Sequence, residues 1–383
     1  MTALRRVAVV GGSQAGVAAA NALRAAGFDG RVTLYCAEDR LPYSRPPLSK
    51  DVLLGLSDAD SAGLHVAEGV DVRLGVRATG LDVHARRLRL STGEQDGFDG
   101  LVVATGARAR SLARTPGDRA REVRLRTMDD ALGLRERLAS AGSVAVAGGG
   151  PLGMEIASVC RSLGREVRVL DFLPPMRRHV GGYLADLIME AARDAGVRFV
   201  QAAGPAHVTE HAVVSGRDRA EADLVITAAG EVANTEWLTG SGLACAGGLL
   251  VDDRLAAAPG VVAAGDVVLL PTPAGPVRTP LWTNALDQGE AAAATLLAPD
   301  SAPAYQARPY FWTEQFGLSI KVCGTIPAEE EPVVVSGDRA ERTLVLQWWS
   351  GGAPVAAATV NHRMPIVRLR RLAAFPPIGE VIP

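Results

Sequence analysis

The sequence predicts an α/β fold: two parallel-sheet units built on one plan, then a smaller α+β unit. Two observations carry this. A strand, a glycine turn, a helix and a second strand leading to an acid occur twice, and 137 residues separate Gly11 of the first turn from Gly148 of the second. Such an internal repeat is the strongest organisational signal a single sequence offers. After the second copy, the Pro/Ala-rich stretch "APDSAPAYQARP" (298–309) reads as a linker, and residues 310–383 alternate apolar and polar as a small sheet does.

The elements follow in order. "RRVAVVGGSQAGVAAANALRAAG" reads as strand, tight turn and helix up to Gly27, and "RVTLYCAE" (31–38) as a second strand leading to Glu38. The segment from Val72 to Ala107 reads as short strands and a hairpin, then a buried strand, "LVVATG" (101–106). The pattern restarts in "SVAVAGGGPLGMEIASVCRSLG" (143–164). "REVRVLD" (165–171) ends on Asp171, and "ADLVITAAG" (222–230) parallels the earlier buried strand. "GVVAAGDVV" (260–268) is a further strand ending in Gly-Asp, and a helix is expected from about Thr283 to Leu297.

Bulk composition narrows the function classes. The 383 residues suffice for two or three domains; 48% are apolar and 21% charged, with a formal net charge of −2. Nothing there points to nucleic acid, and no apolar run reaches the ~18 residues of a membrane helix. The opening "MTALRRVAVVGGSQAG" resembles a secretory leader only superficially, because glycines break its apolar stretch. Cytoplasmic location is the expectation. The four cysteines, Cys36, Cys160, Cys245 and Cys323, are scattered and form no C-x-x-C, which argues against a zinc site or an adjacent redox disulfide. The six histidines, His65, His84, His179, His207, His211 and His362, make no metal motif and read as surface residues, "AHVTEHAVV" being one strand. No metal is expected. Of 40 basic residues only Lys50 and Lys321 are lysine, a pointer to places that want a compact ammonium rather than a guanidinium fork.

The second turn carries the intact fingerprint, Gly148, Gly150 and Gly153, with Asp171 at the next strand tip. Glycines admit a pyrophosphate to backbone N–H groups at a helix N-terminus, and the acid accepts from ribose hydroxyls. Asp171 opposes a 2′-phosphate and favours NADH, while Arg177 and Arg178 nearby keep NADPH possible. The first turn keeps Gly11 and Gly16 but has Ser13 where the middle glycine belongs.

The segment "LPYSRPPLSKDVLLG" (41–55) resembles the flavin-contacting segment of FAD-dependent ferredoxin reductases, the putidaredoxin-reductase-like enzymes and the reductases of aromatic-ring dioxygenase systems. The resemblance continues through "LVVATGARAR", "LRTMDDA", "GGGPLGMEIA", "VAAGDV", "LWTNALDQG" and "YFWTEQFGLSIKVCG". It implies two Rossmann-like domains in a glutathione-reductase-like arrangement plus the α+β C-terminal domain. An FAD-binding domain would span 1–110 and 234–302, an NAD(P)H-binding domain 111–233 and a C-terminal domain 303–383. Several family members carry a serine in the first turn, which makes Ser13 a tolerated variant.

The implied roles fall on matching residues. Ala15 and its turn neighbours would cradle the FAD pyrophosphate, with Glu38 on the ribose and Ala78 at the adenine. Arg45, Lys50 and Arg126 would be flavin-nucleotide contacts, Asp266 would meet the ribityl chain and Trp282 the isoalloxazine. Glu155 would pair with Lys50, Trp312 would stand beside the flavin, and Lys321 would lie where an iron–sulfur partner docks. The implied activity is FAD-dependent NAD(P)H:ferredoxin oxidoreduction, with hydride from NADH passed to FAD and single electrons to a ferredoxin-type protein serving an oxygenase.

An NADH oxidase, diaphorase or biosynthetic tailoring oxidoreductase is the alternative; disulfide reductases of the superfamily need a cysteine in "RPPLSK", and none is there. The arginine-rich stretch 108–126, with seven arginines, is a candidate dock for an acidic partner. The family's F-W-S-D-Q-Y is here "FWTEQF", with Glu314 and Phe316; Ala233 precedes Asn234 where a proline is usual; and the C-terminal domain ends shortly at "PPIGEVIP". These departures imply a partner surface unlike that of well-known members. Oligomeric state is left open.

Overall fold

The computed structural model describes residues 4–328 and 330–374, so the closing "PPIGEVIP" lies outside the described residues. The chain divides into two compact units. One comprises Met1–Ser44, Asp60–Arg108 and Val232–Ala307, the other Arg45–Ala59, Ala109–Glu231 and Arg308–Pro383. The segment around Lys50 and the C-terminal segment therefore share a unit with the second glycine turn.

The first unit is built on a six-stranded sheet in the order Ala256–Ala258, Val261–Ala263, Gly100–Val103, Arg6–Val10, Arg31–Tyr35, Val70–Arg73. All pairs are parallel except the outermost one, Ala256–Ala258 with Val261–Ala263. Buried β-branched residues make the central strands: Val7, Val9, Val32, Val102 and Val262 are at most 2% exposed. Strand order turns at Arg6–Val10, the place where open α/β sheets bind ligands beyond their carboxyl ends. Helices Gln14–Ala25 and Trp282–Leu297 pack on each other through small residues. A Cβ on Gly289 would stand 2.4 Å from the Ala15 carbonyl oxygen, so the helices meet at backbone distance.

The second unit repeats the plan with the parallel order Arg198–Gln201, Glu166–Asp171, Ser143–Ala147, Leu224–Thr227, Val123–Arg124. Helix Pro151–Ser162 follows the second turn. Helix Arg177–Asp194 is interrupted at Gly181, whose φ of 71° is left-handed. "AHVTEHAVV" is two antiparallel strands, His207–Val208 and Ala212–Ser215, rather than one; the polar Thr209–His211 segment makes the reversal. The same unit carries an antiparallel five-stranded sheet ordered Tyr310–Gln315, Leu318–Gly324, Ala353–Val360, Thr343–Ser350, Val333–Asp338, with helix Ile366–Leu372 over it. Its first hairpin closes through Phe316 and Gly317, both at positive φ (50° and 73°), which suits the right-handed twist of the strands.

Candidate functional site

The two glycine turns are built alike. Gly11 and Gly148 have φ of 125° and 110°, conformations that side chains avoid. A Cβ on Gly16 would stand 1.8 Å from the Gly11 carbonyl oxygen, and one on Gly153 would stand 2.0 Å from that of Gly148. Each helix can begin directly on its strand only because these positions lack side chains. Neither helix, Gln14–Ala25 nor Pro151–Ser162, has an acid in its first turn, so its positive end is kept for an anion.

The middle position explains Ser13. Ser13 (φ −121°) and its counterpart Gly150 (φ −75°) are both extended, so neither needs glycine's freedom. A Cβ on Gly150 would meet only the His179 ring, at 3.4 Å.

Around the first turn, Ala15 is buried and touches the Gly265–Asp266 corner: a Cβ on Gly265 would be 2.9 Å from that of Ala15. The Gln288 side-chain oxygen accepts from Gly265 N at 2.8 Å and fixes the corner. Glu38 lies three residues beyond its strand and accepts from Tyr43 Oη at 2.5 Å. Ala78 is buried at the start of strand Ala78–Asp82, and Trp282 Nε1 donates to Ser44 Oγ at 3.1 Å. Among the described residues, Gln14 Oε1 and Asn284 Oδ1 are buried without a partner. Glycine cradle, free helix end and unused acceptors suit a dinucleotide with its ribose hydroxyls.

Around the second turn, Asp171 Oδ2 accepts from Gly149 N at 2.7 Å and Oδ1 from Leu173 N at 3.3 Å. His179 is exposed, as the sequence reading expects, with its ring edge against Gly150. Partial desolvation and then Arg178 hold its pKa below the usual imidazole range, against the pull of Asp171. Arg178 stacks on the exposed Phe172 ring at 5.0 Å.

The same unit gathers Lys50 and Glu155. Lys50 Nζ donates to Glu155 Oε2 at 2.8 Å, with side chains 17% and 8% exposed. Glu155 is the fifth residue of its helix, buried and past the first turn, so it is no helix-end surface acid. Three hydroxyl or amide groups complete the cluster. Ser49 Oγ donates to Glu155 Oε2 at 2.5 Å, Thr313 Oγ1 to Glu155 Oε1 at 2.8 Å, and Gln315 Nε2 to Thr313 Oγ1 at 3.0 Å. Sequence reading missed all three. The available signal was strand alternation, which turns Thr313 and Gln315 to the buried face of Tyr310–Gln315 and leaves Trp312 and Glu314 on the other.

The remaining candidates in this unit engage groups of the chain itself. Arg45 Nη1 donates to the Arg126 carbonyl, and Arg126 pairs with Glu231 at 3.5 Å. Trp312 is half-buried, stacks on Tyr310 with ring centroids 5.7 Å apart, and lies opposite Lys321 in the strand pair. Of the arginines at 108–126, Arg108, Arg121, Arg124 and Arg126 are each within 4 Å of a carboxylate of their own unit. Cys36, Cys160 and Cys323 are buried, and burial pushes their thiols up to about 11, 12 and 11. No helix among the described residues is long and apolar enough to cross a membrane.

Residues 5–289 match the family model described as pyridine nucleotide-disulphide oxidoreductase, and residues 310–375 match the reductase C-terminal model. The chain is 34% identical over 368 residues to the biphenyl dioxygenase system ferredoxin–NAD(+) reductase component of Paraburkholderia xenovorans (strain LB400), covering 93% of this chain and 90% of that protein. It is 35% identical over 348 residues to the chlorobenzene dioxygenase ferredoxin reductase component of Cupriavidus sp. (strain PS12), covering 86% and 82%. Among solved structures, the ferredoxin reductase for the CYP199A2 system from Rhodopseudomonas palustris superposes with a TM-score of 0.84 at 30% identity, over 93% of this chain and 91% of that one. The covalent putidaredoxin reductase–putidaredoxin complex gives 0.85 at 26%, over 97% and 92%. With two strand–glycine turn–helix cradles and the reductase C-terminal segment in one chain, this protein belongs to the pyridine nucleotide-disulphide oxidoreductase family, as an oxidoreductase using flavin and nicotinamide cofactors.

Proposed function

We propose that this chain is an FAD-dependent, NADH-preferring reductase of a ferredoxin-type iron–sulfur protein that serves an oxygenase. The observation that carries the reading is the Lys50–Glu155 pair, its carboxylate buried and its ammonium part-buried, with the lysine in a segment without cysteine. A buried ion pair is costly unless fully satisfied, and this one is satisfied by further donors. The three deeply buried thiols, held far from thiolate, disfavour a disulfide reductase. Relatives named as ferredoxin–NAD(+) reductase components of dioxygenase systems support the same acceptor class.

A bound flavin would supply the redox chemistry that links a two-electron hydride donor to a one-electron iron–sulfur acceptor. The residues' own work follows from their chemistry. The Gly11–Gly16 turn, with Ser13 and Ala15, would hold the FAD pyrophosphate at a helix end, with Glu38 at the ribose, Ala78 at the adenine, and Arg45, Arg126, Asp266 and Trp282 along the rest of FAD. The turn of Gly148, Gly150 and Gly153 would hold the NADH pyrophosphate, with Asp171 set against a 2′-phosphate. Lys50 would supply a positive charge that favours the anionic reduced cofactor, and Glu155 would aim it. Trp312 would stand on the electron-exit side and Lys321 on the partner side.

Rapid-mixing reduction by NADH and NADPH, followed by reoxidation with ferredoxin-type proteins, tests the reading. Lys50→Met should retain FAD yet slow reduction by about tenfold or more, the scale of one charge-assisted contact. Glu155→Gln should be milder, and the double variant no worse than Lys50→Met, with coupling of about 1 kcal/mol. An unimpaired Lys50→Met would remove Lys50 from the chemistry, and strictly additive losses would show that the two side chains act apart.

A further inference from the structure

We infer that Thr313, oriented by Gln315, is a positioning residue: it holds the Glu155 carboxylate so that Lys50 keeps its ammonium aimed outward. The inference rests on the role proposed for Lys50 and goes beyond it.

The hydrogen-bond directions are fixed by counting protons. A threonine hydroxyl has one hydrogen to give and lone pairs to accept with. Gln315 Nε2 donates to Thr313 Oγ1 at 3.0 Å, so that oxygen's accepting side is engaged. Its single hydrogen is then directed at Glu155 Oε1, 2.8 Å away. Reversing the Gln315 amide would point its oxygen at the hydroxyl, and one hydrogen would have to serve two acceptors. Thr313 is fully buried and Gln315 is 3% exposed, so no water supplies a substitute donor cheaply.

The result is a carboxylate held at both oxygens. Oε1 takes the Thr313 hydroxyl, while Oε2 takes Ser49 at 2.5 Å and Lys50 at 2.8 Å. With Oε2 already served by Ser49, the carboxylate's demand on the ammonium is shared. Without the Thr313 hydroxyl, Oε1 becomes a buried charged acceptor with no donor, and the nearest mobile donor is the ammonium. Lys50 would be drawn further into the pair and away from whatever it faces. Residue types alone give no hint of this, since Thr and Gln in a strand are ordinary; the chain of three hydrogen bonds carries it.

The test uses the FAD-loaded full chain and four variants: Thr313→Val, Thr313→Ser, Lys50→Met and the Thr313→Val/Lys50→Met double. Flavin content, the NADH concentration giving half-maximal reduction and the limiting reduction rate are measured for each. Thr313→Val keeps the shape and removes the hydroxyl. It should lower the limiting rate by about three- to tenfold, within the range of coupled contacts, with FAD content and half-saturation unchanged. Thr313→Ser should restore the rate, because it restores the hydrogen. In the Lys50→Met background, Thr313→Val should cost nothing more. A Thr313→Val rate equal to wild type overturns the inference, and so does a loss that persists undiminished without Lys50, which would mark a packing defect. A Lys50→Met variant reduced as fast as wild type overturns the underlying role of Lys50 instead. Should Thr313→Val fail to fold, Thr313→Ala and Gln315→Leu are measured in its place, against the same Lys50→Met background and with the same expected and overturning results.

Discussion

Asp171 has two claims on its carboxylate. One oxygen anchors the second glycine turn through Gly149 N at 2.7 Å, and the other caps the following bend at Leu173 N. Its charge is what would discriminate against a 2′-phosphate. Arg178, one of the two arginines that would favour the phosphate, is engaged on Phe172 at 5.0 Å. Asp171→Asn keeps an accepting oxygen and removes the charge, so the ratio of kcat/KM for NADH over NADPH should fall by about tenfold. An unchanged ratio with weaker binding of both nucleotides would confine Asp171 to holding the turn. At this scale the sequence is informative wherever chemistry is rare. Lys50 stands out because only one other lysine exists in the chain, and the pair it makes with Glu155 is where the resemblance implied. Ser49, Thr313 and Gln315 do not stand out, because their types are common and their meaning lies in what folding brings to Glu155.

At the scale of elements, periodicity located strands and helices well, and reversals less well. The strand expected through His207 and His211 is split because Thr209, Glu210 and His211 have no apolar side to bury. The lysine-bearing segment 45–59 is continuous in sequence with the first unit but packs with the second, a choice that tertiary contacts make and local pattern does not record. Helix Met128–Ser140 shows how an element places a candidate residue. Thr127 Oγ1 accepts from Asp130 N at 3.1 Å, and Asp130 Oδ2 accepts from Thr127 N and Arg126 N, each at 2.9 Å. The capping box therefore fixes the backbone of Arg126 as well as the helix start. Thr127→Ala should cost about 1 kcal/mol, read as a lowered melting temperature. Asp130→Ala should cost similarly and, by freeing Arg126, should also weaken FAD retention. Equal FAD affinity in both variants would detach Arg126 from the flavin nucleotide.

At the scale of the whole molecule, one device is used twice, and each use has its own failure. A side chain at Gly16 collides with the Gly11 carbonyl, and one at Gly153 collides with the Gly148 carbonyl. In both cases the helix must shift off its strand, since the contact is with backbone rather than a flexible side chain. If the first turn serves FAD and the second NADH, the two lesions should separate. Gly16→Val should give a colourless protein that FAD does not restore, while NADH still binds, as titration calorimetry would report. Gly153→Val should stay yellow and accept electrons from dithionite, yet be reduced by NADH more slowly by orders of magnitude at any attainable concentration. The reciprocal pattern would exchange the assignments of the two turns. Loss of both ligands in both variants, with far-UV circular dichroism intact, would mean that the turns do not act as separate nucleotide sites, however closely their backbones agree.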